Sequence, residues 1–224
     1  MAQDIRAALL AAALPHVAFD GWSDAAFAAA AQGAGIDHAL ARAVCPRGAL
    51  DLALAYHAAG DTEMLARLAA ADLAEMRFRD RIAAAVRYRL EGADREVVRR
   101  GTALFALPQH AALGAKAIWG TADAIWMALG DRSDDINYYS KRAILAGVYG
   151  ATLLYWLGDA SPGQSATREF LDRRIANVMQ FEKLKAAANA NPLVKAFMAG
   201  PGSVLARIRA PGHRVQDHLP GSVQ

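Results

Sequence analysis

Apolar residues recur at three- and four-residue spacing along almost the whole chain, and glycine, proline and capping residues punctuate the runs. That spacing places apolar side chains on one face of a helix. Residues 3–14 read as a short apolar helix. Gly21-Trp22-Ser23-Asp24 opens a second, with Ser23 as N-cap and Asp24 favourable to its dipole; Gly33 and Gly35 end it. A third covers 37–44, and Pro46 with Gly48 turns the chain into a fourth around Ala49 to Ala59. Asp61 begins a helix carrying Met64, Leu65 and Leu68. From Glu75 to Arg100, Arg77, Arg79, Arg81, Arg87 and Arg89 alternate with Phe78, Ile82, Val86 and Leu90, which suits a solvated face with arginine stems packed flat. Leu107-Pro108-Gln109 breaks the chain before a helix holding Ile118, Trp119, Ile125, Trp126 and Met127. Ser133 and Asp134 cap a long apolar helix that ends Leu153-Leu154-Tyr155-Trp156-Leu157. A last one, 165–185, lines up Leu171, Ile175, Val178 and Met179.

Alternating β-branched runs are almost absent, so the expected fold is all-α. Composition agrees: 54% of the 224 residues are hydrophobic and 21% charged, enough to build a core and too apolar for wholesale disorder. Much of that apolar content is alanine, the strongest helix former. The longest nearly uncharged run, Ala143 to Leu157, is shorter than the roughly 20 residues a membrane span needs. A single cysteine, Cys45, excludes an internal disulfide and fits a reducing compartment; a packed small hydrophobe explains it better than a nucleophile. A net charge of +3 is too small to imply nucleic acid by itself. No cationic leader or secretion signal is read at the start.

These signals divide the chain into a helix-turn-helix-like module over 1–60 and a helical body over 61–185. A linker at 186–191, an amphipathic segment at 192–210 and a flexible tail at 211–224 follow. On a helical wheel Leu193, Val194, Phe197, Met198, Val204, Leu205 and Ile208 fall within about 140°. Arg207 and Arg209 flank that stripe and Lys195 lies opposite, the pattern of a helix resting on an anionic membrane surface. Packing onto the body or a second subunit is the alternative, and Pro201 divides the segment into two pieces as readily as one rod.

Catalytic signatures are missing. The six histidines form no Glu-x-x-His pair of a di-iron bundle and no His-Glu-x-x-His zinc motif. There is no nucleophile elbow and no glycine-rich phosphate loop. What remains is hydrophobic. Trp119, Trp126, Tyr149 and Trp156, with Leu104, Phe105, Leu107, Leu145 and Leu153, form either plain core or the lining of a cavity for an apolar ligand.

Two resemblances attach to particular residues. Gly21-Trp22-Ser23 and Ala34-Gly35-Ile36 resemble the start of the N-terminal module of TetR-type transcription regulators. The charge does not follow: residues 1–60 hold three arginines against five aspartates, 3 − 5 = −2, and a module that must neutralise phosphates needs the opposite sign.

More specifically, Gly130-Asp131-Arg132-Ser133-Asp134-Asp135-Ile136-Asn137-Tyr138-Tyr139-Ser140-Lys141-Arg142-Ala143 resembles the signature of the family of the ninth member of the COQ set of ubiquinone-biosynthesis proteins. His16-Val17, Gly21-Trp22, Leu107-Pro108, Val148-Tyr149, Asp159-Ala160-Ser161-Pro162, Phe170-Leu171 and Arg173-Arg174 extend the match over nearly the whole chain. The resemblance implies a TetR-like fold, a homodimer, and an isoprenoid or phospholipid held in a hydrophobic pocket, with no cofactor. It implies a non-catalytic accessory that brings a di-iron hydroxylase of ubiquinone biosynthesis to membrane-dissolved substrate, with a bilayer-touching helix corresponding to 192–209. By position its partner patch comprises Asp123, Asp131, Asn137, Tyr138, Tyr139 and Arg142; many relatives have tryptophan where Tyr138 stands. Against that reading, Ser133 and Asp134 cap a helix and Arg142 pairs with an aspartate. The expected place is the cytoplasmic side of a bacterial inner membrane, peripherally bound. The rivals are a TetR-type ligand-responsive transcription regulator, which would bind a duplex, and a catalyst with an unrecognised site.

Overall fold

The computed structural model describes residues 1–190 and residue 210, and its described residues form nine α-helices and one short 3-10 turn, with no strand among them. The N-terminal part is α1 (Ala2–Asp20), α2 (Asp24–Gly33) and α3 (His38–Val44). The body is α4 (Ala49–Ala70), α5 (Phe78–Glu91), α6 (Arg95–Phe105), α7 (Ala111–Ala128), α8 (Ile136–Gly158) and α9 (Ser165–Ala190). The all-α expectation holds.

Side-chain caps set several starts. Ser23 accepts from the Ala26 amide, Asp37 from Ala39 and Leu40, and Asp94 from Glu96 and Val97, each satisfying a donor the helix cannot. Gly35, in the left-handed region at φ 63°, makes the turn between α2 and α3 that a larger residue would strain.

Four expected boundaries shift. Helix α1 continues past Leu14 through Pro15, because Leu9, Ala13 and Val17 form one buried stripe whose packing outweighs the hydrogen bond proline removes. Helix α4 does not stop at Ala59: it crosses Gly60 without a break, and a Cβ there would lie 2.6 Å from a guanidinium nitrogen of Arg89. That glycine admits a neighbouring side chain and ends nothing. The cap of α8 is Asp135, not Ser133 or Asp134; Ser133 donates to Asp131 instead. Finally, α9 runs on through residues 186–190, read above as linker.

Two apolar clusters result. One gathers Leu9, Val17, Trp22, Phe27, Cys45 and Leu52; the other gathers Met64, Leu68, Val86, Leu90, Ile125, Tyr149, Trp156 and Leu171. Helix α4 supplies residues to both, so the boundary read between 60 and 61 falls inside one continuous helix. The amphipathic stretch Leu193 to Arg209 lies outside the described residues.

Candidate functional site

Where the two clusters meet, helices α4 to α8 leave a cavity of about 460 Å³. Its wall is largely apolar: Trp22, Ala53, Leu90, Val97, Val98, Phe105, Ile118 and Leu153 line it, with Gly101, Gly114 and Gly150 thinning the helix faces. Leu154, 60% exposed, stands on its open side. The volume falls within the range of small-molecule sites.

One side of this wall is polar. Arg89 reaches it from α5 although only 4% exposed, contrary to the solvated face expected for its arginine run. Its Nε donates to Asp61 Oδ1 at 2.7 Å, and its Nη2 donates to the His57 carbonyl oxygen at 3.0 Å. Thr121, fully buried on α7, donates to Asp61 at 2.9 Å, and His57 Nε2 lies 2.8 Å from the Thr121 hydroxyl. Burial holds His57 below its ordinary pKa and favours the neutral ring. Arginine and aspartate therefore cancel, and the cluster carries no net charge. Tyr149, 0% exposed on α8, completes this side: among the described residues its hydroxyl has no hydrogen-bond partner, and burial raises it to about 12, so it is a neutral phenol.

A second constellation lies at the start of α8. Arg142 is 1% exposed, with Nε donating to Asp123, Nη1 donating to Asp131 at 3.0 Å and to the Tyr138 carbonyl at 3.1 Å, and its guanidinium 3.5 Å from the Tyr138 ring centre. Lys141 and Ser133 also donate to Asp131, at 2.7 and 2.8 Å. Burial opposes ionisation of Asp131, but these three donors outweigh it and bring the carboxyl down to about 2. Around this clamp Asn137 is exposed and Tyr138 and Tyr139 half-buried, their rings meeting edge to face at 5.1 Å.

Of the nine residues expected to line a lipid cavity, Phe105, Tyr149 and Leu153 do so. Leu104 packs into the N-terminal cluster, and Leu107 is exposed. Trp119 sits against Tyr139, Trp126 donates to the Lys141 carbonyl, Leu145 lies in the core, and Trp156 donates to Gln164. Those six do not line this cavity, but Trp126 and Leu145 line a smaller apolar one of about 170 Å³ together with Phe78, Ile82, Ile144 and Val148. From the expected partner patch, Arg142 and Asp131 are buried beneath the surface they were to form, because each is the other's counter-ion; Asp123, Asn137, Tyr138 and Tyr139 stay at or near it. Sequence reasoning missed Trp22, Tyr56, His57, Arg89 and Thr121. His57 and Asp61, four residues apart on one helix face beside a glycine, were the legible signal.

The N-terminal module offers few cations. Arg42 pairs with Asp24 at 2.8 Å, and Arg47 with Asp51 at 2.6 Å. Cys45 is fully buried and burial raises its thiol, as a packed hydrophobe requires. Among the described residues no three His, Cys, Asp or Glu side chains converge as a metal site would need, and no helix is long and apolar enough to cross a membrane.

Comparison with known proteins places these features. Residues 111–182 match the COQ9 family model. The mitochondrial ubiquinone biosynthesis protein COQ9 of Rattus norvegicus is 31% identical over 186 residues, covering 79% of this chain and 59% of that protein. Its Drosophila melanogaster counterpart is also 31% identical, over 80% of this chain and 57% of its own length. The chain thus spans under two thirds of the length of these relatives. A crystal structure of the TetR transcriptional regulator from Nitrosomonas europaea ATCC 19718 superposes with a TM-score of 0.63 at 19% identity, over 77% of this chain and 97% of that one. At that identity the likeness speaks for fold alone.

Proposed function

We propose that this chain, whose residues 111–182 match the COQ9 family model and which aligns with COQ9 proteins over most of its length, is a non-catalytic accessory of ubiquinone biosynthesis that shelters an apolar lipid or isoprenoid. The observation that carries this reading is the cavity of about 460 Å³, apolar over most of its wall and bordered by the exposed Leu154. Burying a polyprenyl tail there is favourable by about 0.8 kcal/mol per CH₂ group. The surface around Asn137, Tyr138 and Tyr139 is the docking face for a di-iron hydroxylase partner, held in shape from beneath by the Arg142 clamp. The stretch 192–209 is the membrane contact, and two copies of the chain form the working unit.

The test is extraction of the purified protein and mass spectrometry of what it carries, for the wild type and for Gly150→Leu. A Cβ at Gly150 has ordinary van der Waals room, 3.8 Å from Ile118, so the longer side chain projects into the cavity while α8 is retained. The expected result is lipid in the wild type and its loss in the variant. A wild type that carries no apolar ligand, and takes none up from vesicles, rules the reading out.

A further inference from the structure

Tyr149 is the odd member of the polar side of the cavity. It sits in the middle of α8, fully buried, with the Arg89 guanidinium 6.0 Å from its ring centre, and among the described residues its hydroxyl has no protein hydrogen-bond partner. An unpaired buried hydroxyl costs about 1–3 kcal/mol, and a phenylalanine in its place would pack the same volume at no such cost. Its near neighbours are already occupied: Asp61 receives from Arg89 and Thr121, and the Tyr56 hydroxyl receives from the Asp94 amide. Among the described residues, this phenol oxygen is the only polar side-chain atom of the cavity wall that is both buried and unpartnered.

We infer that the Tyr149 hydroxyl anchors the head of the cavity's ligand by donating to an uncharged acceptor oxygen, a carbonyl or ether of an apolar molecule. This rests on the apolar-ligand reading above and names the part of the ligand that reading leaves open. The charge of the wall decides the kind of head. Arg89 is the cation at this side and its charge is matched by Asp61 at 2.7 Å, so none remains for a phosphate or carboxylate. The Tyr149 phenol is raised to about 12 by burial and so offers a proton across the physiological range. A phospholipid headgroup would bring an unpaired charge into an apolar wall; a quinone or ester carbonyl would bring one acceptor to one waiting donor. On this account the site selects by its single donor, because a wall built to hydrogen-bond an oxygen discriminates against molecules lacking it.

Titration calorimetry with three probes of one tail length tests this: a decyl-1,4-benzoquinone, decylbenzene and decyl phosphate. Wild type should bind the quinone roughly five- to tenfold tighter than decylbenzene, the worth of one hydrogen bond, and bind the alkyl phosphate no better than the hydrocarbon. Tyr149→Phe should remove the quinone's advantage and leave decylbenzene affinity unchanged. The variant should melt no lower than wild type, since it loses only an unpaired hydroxyl; its melting curve and helical circular dichroism report that it is folded. Equal quinone affinity in wild type and Tyr149→Phe overturns the assignment, as does an equal loss for quinone and decylbenzene, which would mark a merely structural role. Tighter binding of the alkyl phosphate overturns the uncharged head. Failure of wild type to bind decylbenzene or the quinone at all is a different outcome: it removes the apolar cavity reading, and this inference with it.

Discussion

Arg142 illustrates how a residue expected at a surface can lie beneath it. Its position in an acidic and aromatic segment suggests a surface, yet it is buried, paired with Asp131 beneath and the part-exposed Asp123 above, and stacked on Tyr138. Removing the guanidinium leaves Asp131 held by Lys141 and Ser133 and Asp123 partly in water, so the loss is that of its charge-assisted hydrogen bonds, about 1–3 kcal/mol. Arg142→Met should therefore lower stability by that order in chemical denaturation, and should weaken partner docking only through disorder of Tyr138 and Tyr139. Asp131 adds a pH signature. Its folded carboxyl, at about 2, lies below the ordinary aspartate value near 3.9, so the unfolded chain takes up the proton first. The stabilisation is complete above about pH 4 and is lost as pH falls toward about 2. Acid titration followed by circular dichroism should show Asp131→Asn less stable at neutral pH and converging with wild type in that window.

At the scale of the element, glycines decide how closely helices approach. Gly114 on α7 faces Phe105 on α6, and a Cβ added there would sit 2.7 Å from the Phe105 Cβ, an atom that cannot swing aside. Alanine is worth up to about 1 kcal/mol over glycine inside a helix. Overpacking of this sort costs about 1–3 kcal/mol. Gly114→Ala should thus lower the midpoint of a denaturant melt, against the propensity scale, and narrow the cavity between α6 and α7. Gly150 on α8 has the opposite surroundings, and Gly150→Leu should keep the wild-type melting temperature or raise it while excluding ligand. The contrast between two glycines in similar apolar runs is invisible in sequence, because propensity is local and clearance is set by another helix.

For the whole molecule, the resemblance to a regulator's fold poses the question of nucleic acid. The superposition with a TetR regulator concerns the path of the chain, whereas duplex affinity at low selectivity is a matter of cations free to replace counterions. In the N-terminal module Arg42 and Arg47 are committed to Asp24 and Asp51. Reversing Arg42 to Glu should accordingly leave fluorescence anisotropy of a labelled duplex unchanged at low salt, where non-specific contacts are strongest. A marked, salt-dependent loss would restore the regulator reading. The continuity of α4 through both apolar clusters adds that module and body share one structural element. A cavity bounded by Trp22 on one side and by Tyr149 on the other is a product of that sharing.

The alanine-rich, three-four periodicity and the cap at Ser23 were enough to establish an all-α chain and several of its helices, because both act over one or two turns, whereas the caps at Asp37 and Asp94 emerged only with the structure. The segment from Gly130 to Ala143 was likewise recognisable as a set of residues. What periodicity could not provide was distance between helices. Phe105, Tyr149 and Leu153 meet in one cavity, Trp126 lines a smaller separate one and Trp156 packs in the core, and Arg89 turns inward while Arg77 pairs at the surface. A local pattern records which face of a helix is apolar; only the packing of α4, α5, α7 and α8 decides what that face meets, which charge is matched, and which hydroxyl is left without a partner among the described residues.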